Sequence, residues 1–393
     1  MRVLSVVGAR PQFVKLAPID KAFKKAGIEH VIVHTGQHYD PMLSDVFFED
    51  LGISAPAEHL GVGSGSHGKQ TGAMMGALDD VYAKHNPDWV LVYGDTNSTL
   101  AAAICAAKMH IPLAHLEAGL RSFNRRMPEE HNRVLTDHAS DLLLTPTTVG
   151  ADHLAHEGIT EGVVITGDVM TDVLYETRDK VKGKNSPFQD SLDLMPGTYS
   201  VATIHRAENT DDPARLEAIL ESLGNVDHPV VILAHPRLLA KVEEHGLTLA
   251  RGNLIAHASI PYPQLVSAVM NSRGVITDSG GLQKEAFLLG APCTTVRPET
   301  EWVETVELGW NVLVEPGPAL TAAATRPRPT TTNAAPYGNG HAADAVVAAL
   351  VERGLVDLPT DERGLWEIDL PQISLPEGLS SEMLLSDQRS DRL

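Results

Sequence analysis

Two carboxylates, Asp95 and Glu117, stand in one stretch of the chain, DWVLVYGDTNSTLAAAICAAKMHIPLAHLEAGLRS, residues 88–122. Each follows a short apolar run, 89–93 or 111–116, stopped by Gly94-Asp95 in the first case and Glu117-Ala118-Gly119 in the second. Short apolar runs alternating with helices make a parallel sheet covered on both faces. In such sheets ligands bind beyond the carboxyl ends of the strands, so both acids face one crevice. An Asp at a strand end also serves simply to cap the next helix, here 96–108, and that role stands beside the chemical one.

Positive and backbone groups gather in three further loops. GARPQFVK follows the apolar run 2–7 and puts Arg10 and Lys15 at a strand-to-helix junction, a place that can hold phosphate or can be a surface loop with two solvated bases. Arg121, Arg125, Arg126 and Arg133 crowd around Met127-Pro128-Glu129-Glu130, which has the Pro and first-turn acids of a helix start. In a chain of net charge −20, that basic cluster points to an anionic ligand. DSGGLQKEA follows the run 275–277, and its Gly280-Gly281 pair lets backbone approach a ligand at a helix N-terminus. That is the form of a diphosphate cradle, the alternative being a turn with no ligand. His34 and His38 suggest a metal, but no Cys or acidic companion stands at metal-site spacing, so no metal site is expected.

The elements that position these groups repeat one layout twice. Residues 2–7, 29–33, 89–93, 111–116, 141–144 and 163–166 read as strands, with helices at 13–26, near 43–51, at 71–85 and at 96–108. Residues 61–72, rich in Gly, Ser and His, read as a mobile loop. The Gly- and Pro-bearing segment 183–197 is the best domain boundary. Beyond it come strands at 199–203, 230–233, 254–256, 275–277 and 293–296, the first two ending in IHRAEN with His205 and AHPR with His235. Helices are expected at 215–225 and 282–289, the stretch 316–337 is expected to be irregular, and 341–353 reads as a helix. The expected division is 1–182, 183–340, a helix 341–353, and an acidic, Pro-containing tail 354–393 whose last ~20 residues are partly disordered.

Composition narrows the class. A chain of 393 residues is too long for one ordinary core and fits two domains. Its 43% apolar content is that of a soluble protein, and no run approaches the ~18 apolar residues of a membrane helix or the core of a signal peptide. Cys105 and Cys293 lie far apart in apolar segments, as buried free thiols in a cytoplasmic protein do. A net charge of −20 speaks against nucleic-acid binding.

Across roughly residues 1–353, the joint order of GARPQFVK, Gly94-Asp95-Thr96, HLEAGLRS, MPEEHNR, IHRAEN and DSGGLQKEA resembles the non-hydrolysing UDP-N-acetylglucosamine 2-epimerases. The resemblance implies an α/β architecture of glycosyltransferase-B type: two Rossmann-like domains, a cleft between them, and a C-terminal helix crossing back to the first. It implies a homodimer, a UDP-sugar substrate, and inversion at sugar C2 by elimination of UDP to a 2-acetamidoglucal and re-addition, with no nicotinamide and no metal. It places Asp95, Glu117 and Glu129 at the family's carboxylate positions and His205 at its histidine position. Arg10, Lys15, His235, Ser279, Gly280, Gly281 and Glu285 match its nucleotide side, with Arg121 and Arg133 beside them. Many bacterial members read Gln-His-Arg where this chain has Gln37-His38-Tyr39-Asp40, and use that segment to bind a second substrate molecule as an activator. The spellings GARPQF, TGQHYD and TEWVETVE resemble the branch that epimerises UDP-2,3-diacetamido-glucuronate. A hydrolysing relative, which releases UDP and N-acetylmannosamine, is a further alternative, beside a glycosyltransferase of the same architecture and a non-catalytic nucleotide-sugar sensor.

Overall fold

The computed structural model describes residues 1–37, 48, 52–183, 187–330 and 334–356. Its framework is two parallel sheets. The first contains β1 (Arg2–Val7), β2 (Glu29–His34), β3 (Glu58–His59), β4 (Trp89–Tyr93), β5 (Leu113–Leu116), β6 (Leu142–Thr145) and β7 (Val163–Ile165), in the order β3-β2-β1-β4-β5-β6-β7. The second contains β8 (Ser200–Thr203), β9 (Val230–Ala234), β10 (Leu254–Ala258), β11 (Gly274–Thr277), β12 (Cys293–Thr295) and β13 (Asn311–Leu313), in the order β10-β9-β8-β11-β12-β13. Both are doubly wound α/β sheets, so the chain has two Rossmann-like domains of glycosyltransferase-B type, as expected. The strand order reverses between β1 and β4 in one and between β8 and β11 in the other.

Apolar runs without alternation make these strands because both faces are covered. In β1 and β4, Val3, Val7, Leu91 and Tyr93 pack beneath the helix Arg10–Ala26, while Leu4, Val6, Val90 and Val92 pack beneath His67–His85 and Asn97–Lys108. Each such side chain contributes about 1.5–3 kcal/mol of burial. The helix Ala342–Val356 completes the first face: Val346, Val347 and Leu350 join the cluster of Phe13, Leu16 and Ile19. Its first amides, on Ala342 and Ala343, donate to the Asp172 carboxylate at 3.0 and 2.8 Å. The two passages of chain between the sheets touch at Gly167 and Gly338, both at φ +83°. A Cβ on Gly167 would lie 3.3 Å from the Gly338 Cα, so a side chain at either position would be strained by its φ and would push the two backbones apart by a few tenths of an ångström.

Several expectations are corrected. The segment 61–72 is not all loop: the helix begins at His67 and passes through Gly68, Gly72 and Gly76. Burial of Met74 and Leu78, with the Gln70 carboxamide bonded to Gly63 O and to Asn97, outweighs the poor helix propensity of those glycines. The stretch 316–337 is not wholly irregular. Pro318–Ala324 is a helix that buries Leu320 and anchors its Thr321 hydroxyl on Ser222 O. The helix after β1 starts at Arg10 rather than 13, because Pro11 is tolerated in a first turn. The two- and three-residue strands β3 and β13 carry too little pattern to be read in sequence. Of the expected helix near 43–51 only Phe48 is among the described residues, and the tail beyond 356 lies outside them. Cys105 and Cys293 are buried free thiols, as read from sequence. Among the described residues no helix is long and apolar enough to cross a membrane.

Candidate active site

The β1/β4 reversal places the Gly94-Asp95 turn at the mouth of the first domain. Gly94 has φ +62°, and a Cβ there would lie 3.3 Å from Glu117 Oε2 and 3.4 Å from Lys15 Nζ. The Glu117 carboxylate and Lys15 ammonium therefore rest against the backbone beside Asp95. Glu117 itself has φ +72°, a left-handed conformation that costs a non-glycine residue on the order of 1–2 kcal/mol. Its amide and that of Ala118 both donate to Leu144 O, at 3.1 and 3.2 Å, which holds the turn.

Lys15, read on the nucleotide side, is in this structure the ion-pair partner of Glu117, with both side chains largely buried. Burial works to lower its pKa, but Glu117, with the charges of Asp95 and Asp168 behind it, raises it above the ordinary lysine value. Arg10 opens the helix after β1. The preceding amides of Gly8 and Ala9 donate to Gln12 Oε1 at 2.8 and 3.0 Å, so those two N–H groups of the loop are already engaged. This argues against its backbone as the phosphate cradle.

The helix Pro128–Ala139 fastens the acids. Arg133 pairs with the Asp95 carboxylate and reaches Glu130 at 3.1 Å, and Asn132 donates to Asp95 O at 2.9 Å. Glu130 is buried and accepts from the Ser122 amide and hydroxyl and the Phe123 amide. Burial raises its pKa, and these bonds with Arg133 pull it below the usual value. Glu129, by contrast, is exposed and has no ion pair among the described residues. One turn thus offers a structural acid and a free one. Arg121, read as a ligand for UDP, is a correction. Its guanidinium is 1% exposed and donates to Asp137 at 2.7 Å and to Glu157 at 2.7 and 2.8 Å, so it is a scaffold group.

The β8/β11 reversal supplies the second half of the site. His205 follows β8, and its Nδ1 lies 3.2 Å from Asp278 Oδ1. Asp278, immediately after β11 and fully buried, also accepts from the amides of His205 and Arg206 and from Asn209. Burial raises its pKa, and His205 with these donors lowers it overall. The His235 ring is 5.3 Å from that of His205, and its Nδ1 accepts from the Arg237 amide as a helix cap. Ser279 precedes the helix Gly280–Leu288 without a side-chain cap, leaving first-turn N–H groups for an anion. A Cβ on Gly281 would meet nothing within 4 Å, so this backbone is open, whereas Gly280 is held against Glu301. Glu285 accepts from the Tyr262 hydroxyl at 2.9 Å, and burial pushes its carboxyl above the usual range.

Asp168 joins the two halves. It pairs with Lys284 from the second domain, both side chains being buried, and its charge acts on Lys15 on one side and on Glu285 on the other. His115, Glu130, Asp278 and Lys284 carry no role legible in the sequence motifs that contain them. A His inside the apolar run of β5 and an Asp at the end of β11 were the available signals. Among the described residues no group of three or more His, Cys, Asp or Glu could hold a metal ion; His38 lies outside them.

Carboxylates after β4 and β5, and a histidine with an uncapped helix N-terminus at the β8/β11 reversal, stand at the carboxyl ends of the strands, where doubly wound α/β domains take their ligands. The sequence model described as UDP-N-acetylglucosamine 2-epimerase matches residues 21–351, and the chain belongs to that family of epimerases. It is 45% identical over 317 residues to a UDP-N-acetylglucosamine 2-epimerase homolog of Methanococcus maripaludis, covering 80% of this chain and 88% of that one. It is 46% identical over 322 residues to the UDP-2,3-diacetamido-2,3-dideoxy-D-glucuronate 2-epimerase of Pseudomonas aeruginosa, with the same coverage. The crystal structure of the Methanocaldococcus jannaschii UDP-GlcNAc 2-epimerase in complex with UDP-GlcNAc and UDP superposes with a TM-score of 0.75 at 36% identity, covering 90% of this chain and all of that one.

Proposed function

We propose that this epimerase interconverts UDP-N-acetylglucosamine and UDP-N-acetylmannosamine without hydrolysis. The observation that carries the reading is the division of labour between the two sheets: Asp95 after β4 beside Glu117 after β5 in the first, His205 and the open Gly281 backbone at β8/β11 in the second. The sugar C2 proton has no neighbouring carbonyl and is not acidic, so its removal is coupled to loss of the anomeric substituent. Asp95 takes the C2 proton. The C–H electron pair becomes the C1–C2 double bond, and the C1–O pair leaves with UDP. Glu129, or Glu117 once the Lys15 ammonium has passed it a proton, then delivers a proton to the opposite face of C2 while the UDP oxygen re-adds at C1.

The parts present suit those steps. Arg133 and Asn132 orient Asp95. His205, backed by Asp278, and the N–H groups of the helix Gly280–Leu288 stabilise the departing diphosphate. Proton NMR with UDP-N-acetylglucosamine in heavy water tests the proposal. Loss of the C2 proton signal with appearance of UDP-N-acetylmannosamine is expected. Free N-acetylmannosamine and UDP instead would make the protein a hydrolysing epimerase.

One observation favours a second reading, the diacetamido-glucuronate substrate. Arg125 and Arg126 have no carboxylate partner among the described residues, although Arg121 and Arg133 on either side are both paired. They sit on the loop that Glu130 ties beside Asp95, where the carboxylate of a uronic sugar would meet them. The relative at 46% identity named for that sugar supports this reading. Turnover of the uronate with none of the neutral sugar would select it.

A further inference from the structure

His115 and Asp137 are fully buried and lie behind the acids rather than beside a ligand. His115 pairs in register with Val92 across β5 and β4. Its Nε2 is 2.8 Å from the carbonyl oxygen of Gly94, and its Nδ1 is 2.6 Å from Asp137 Oδ1. A carbonyl oxygen only accepts, so Nε2 donates. The other Asp137 oxygen accepts from the Gly119 amide at 3.1 Å and the Arg121 guanidinium at 2.7 Å. Its first oxygen, Oδ1, is left for the His115 Nδ1. Arg121 closes the chain on Glu157. Charges alternate along it, so each buried ion has an opposite neighbour.

The imidazole thus ties Gly94, one residue before Asp95, to the carboxylate that holds Gly119, two residues after Glu117. Both turns need holding. Gly94, Glu117 and Gly119 have φ of +62°, +72° and +80°; the Gly94 amide makes the last ladder bond, to Leu116 O at 3.0 Å, the Glu117 and Ala118 amides share Leu144 O, and His115 supplies the side-chain tie beyond that point. Two separate partners would satisfy the same two backbone groups. A shared one couples the turns and sets their relative placement.

We infer that His115 and Asp137 are positioning residues that align Asp95 against Glu117, so that the two proton-transfer groups meet opposite faces of one sugar carbon. This rests on the roles proposed above, with Glu117 rather than Glu129 as the second proton-transfer group. In the full chain, His115→Gln keeps one amide donor and loses the double attachment, and Asp137→Asn breaks it from the other end. UDP affinity by calorimetry should stay within about twofold and KM within a few-fold, while kcat falls by about 100-fold, the cost of misplacing a reacting group by roughly 1 Å. A role confined to stability would instead lower the melting temperature with kcat preserved in the folded fraction. A folded His115→Gln protein with kcat within about threefold of the parent overturns the inference.

If neither variant folds, 15N-edited spectra of the unaltered protein at pH 7 decide it. A hydrogen on Nε2 of His115 is expected, and a bare Nε2 overturns the tie to Gly94. Absence of C2 proton exchange by the unaltered protein with both UDP-sugars would sink the proposed roles of the acids, while the ring-nitrogen result would still decide the network.

Discussion

Replacing Asp172 by Asn should change how stability depends on pH, with a sign opposite to that of most carboxylates. Burial, reinforced by the charge of Asp168, pushes the Asp172 carboxyl up to about 6, although the amides of Ala343 and Ala342 and the charge of His341 favour its ionised form. An acid whose pKa is higher folded than unfolded adds stability at low pH and loses it as pH rises through the folded value. Taking about 6 folded and 3.8 unfolded, the parent should lose about 1.3 kcal/mol between pH 5 and pH 7 relative to Asp172→Asn, and about 3 kcal/mol across the whole titration. The comparison with the Asn variant cancels groups whose titration is common to both proteins. Urea unfolding of the two proteins at pH 5, 6 and 7 measures the difference, and hydrogen exchange over residues 342–356 locates it. A stability difference constant over that range, or one that changes in the parent's favour as pH rises, would refute the reasoning.

Asp95→Asn should abolish C2 proton exchange and leave UDP binding by calorimetry nearly unchanged; exchange at the parental rate removes Asp95 as the base. Lys284→Met strands the buried Asp168 charge and should cost about 3–5 kcal/mol in urea unfolding, most of it recovered in Lys284→Met/Asp168→Asn; no recovery in the double variant would show that the loss is not electrostatic. Gly94→Ala puts an L residue at φ +62° and a methyl 3.3 Å from the Glu117 carboxylate, so it should lose on the order of 1–2 kcal/mol of stability and proportionately more of kcat, and unchanged kcat would loosen the tie between that turn and the chemistry. Arg125→Ala/Arg126→Ala should leave turnover of UDP-N-acetylglucosamine within a few-fold while weakening any uronate substrate by about tenfold or more; equal effects on both would remove them as a carboxylate subsite.

Most of the framework is legible in the chain because a strand buried on both faces is written as an unbroken apolar run, and a ligand loop follows its end. Arg2–Val7, Trp89–Tyr93 and Gly274–Thr277 carry that signature, and Gly94-Asp95, Glu117 and DSGG follow at their places. The helix at 67–85 is not legible at its start, since three glycines argue against it locally and only Met74 and Leu78 meeting the sheet decide for it. Charge partners are not legible at all. Sequence spacing put Arg121 and Arg133 in one basic cluster. The fold turns Arg121 inward onto Asp137 and Glu157 and Arg133 toward Asp95.

The sequence by itself thus determined two doubly wound sheets, the loops that border the crevice, and the acids and glycines those loops carry, because strand pattern and turn chemistry are local. Which acid is free and which is structural, Glu129 or Glu130, only the tertiary structure decided. So too with Lys15 meeting Glu117, Asp168 meeting Lys284 across the domains, and His115 joining two turns. Those outcomes depend on distances between elements far apart in the chain, and a buried charge takes whatever partner the packing of those elements brings within reach.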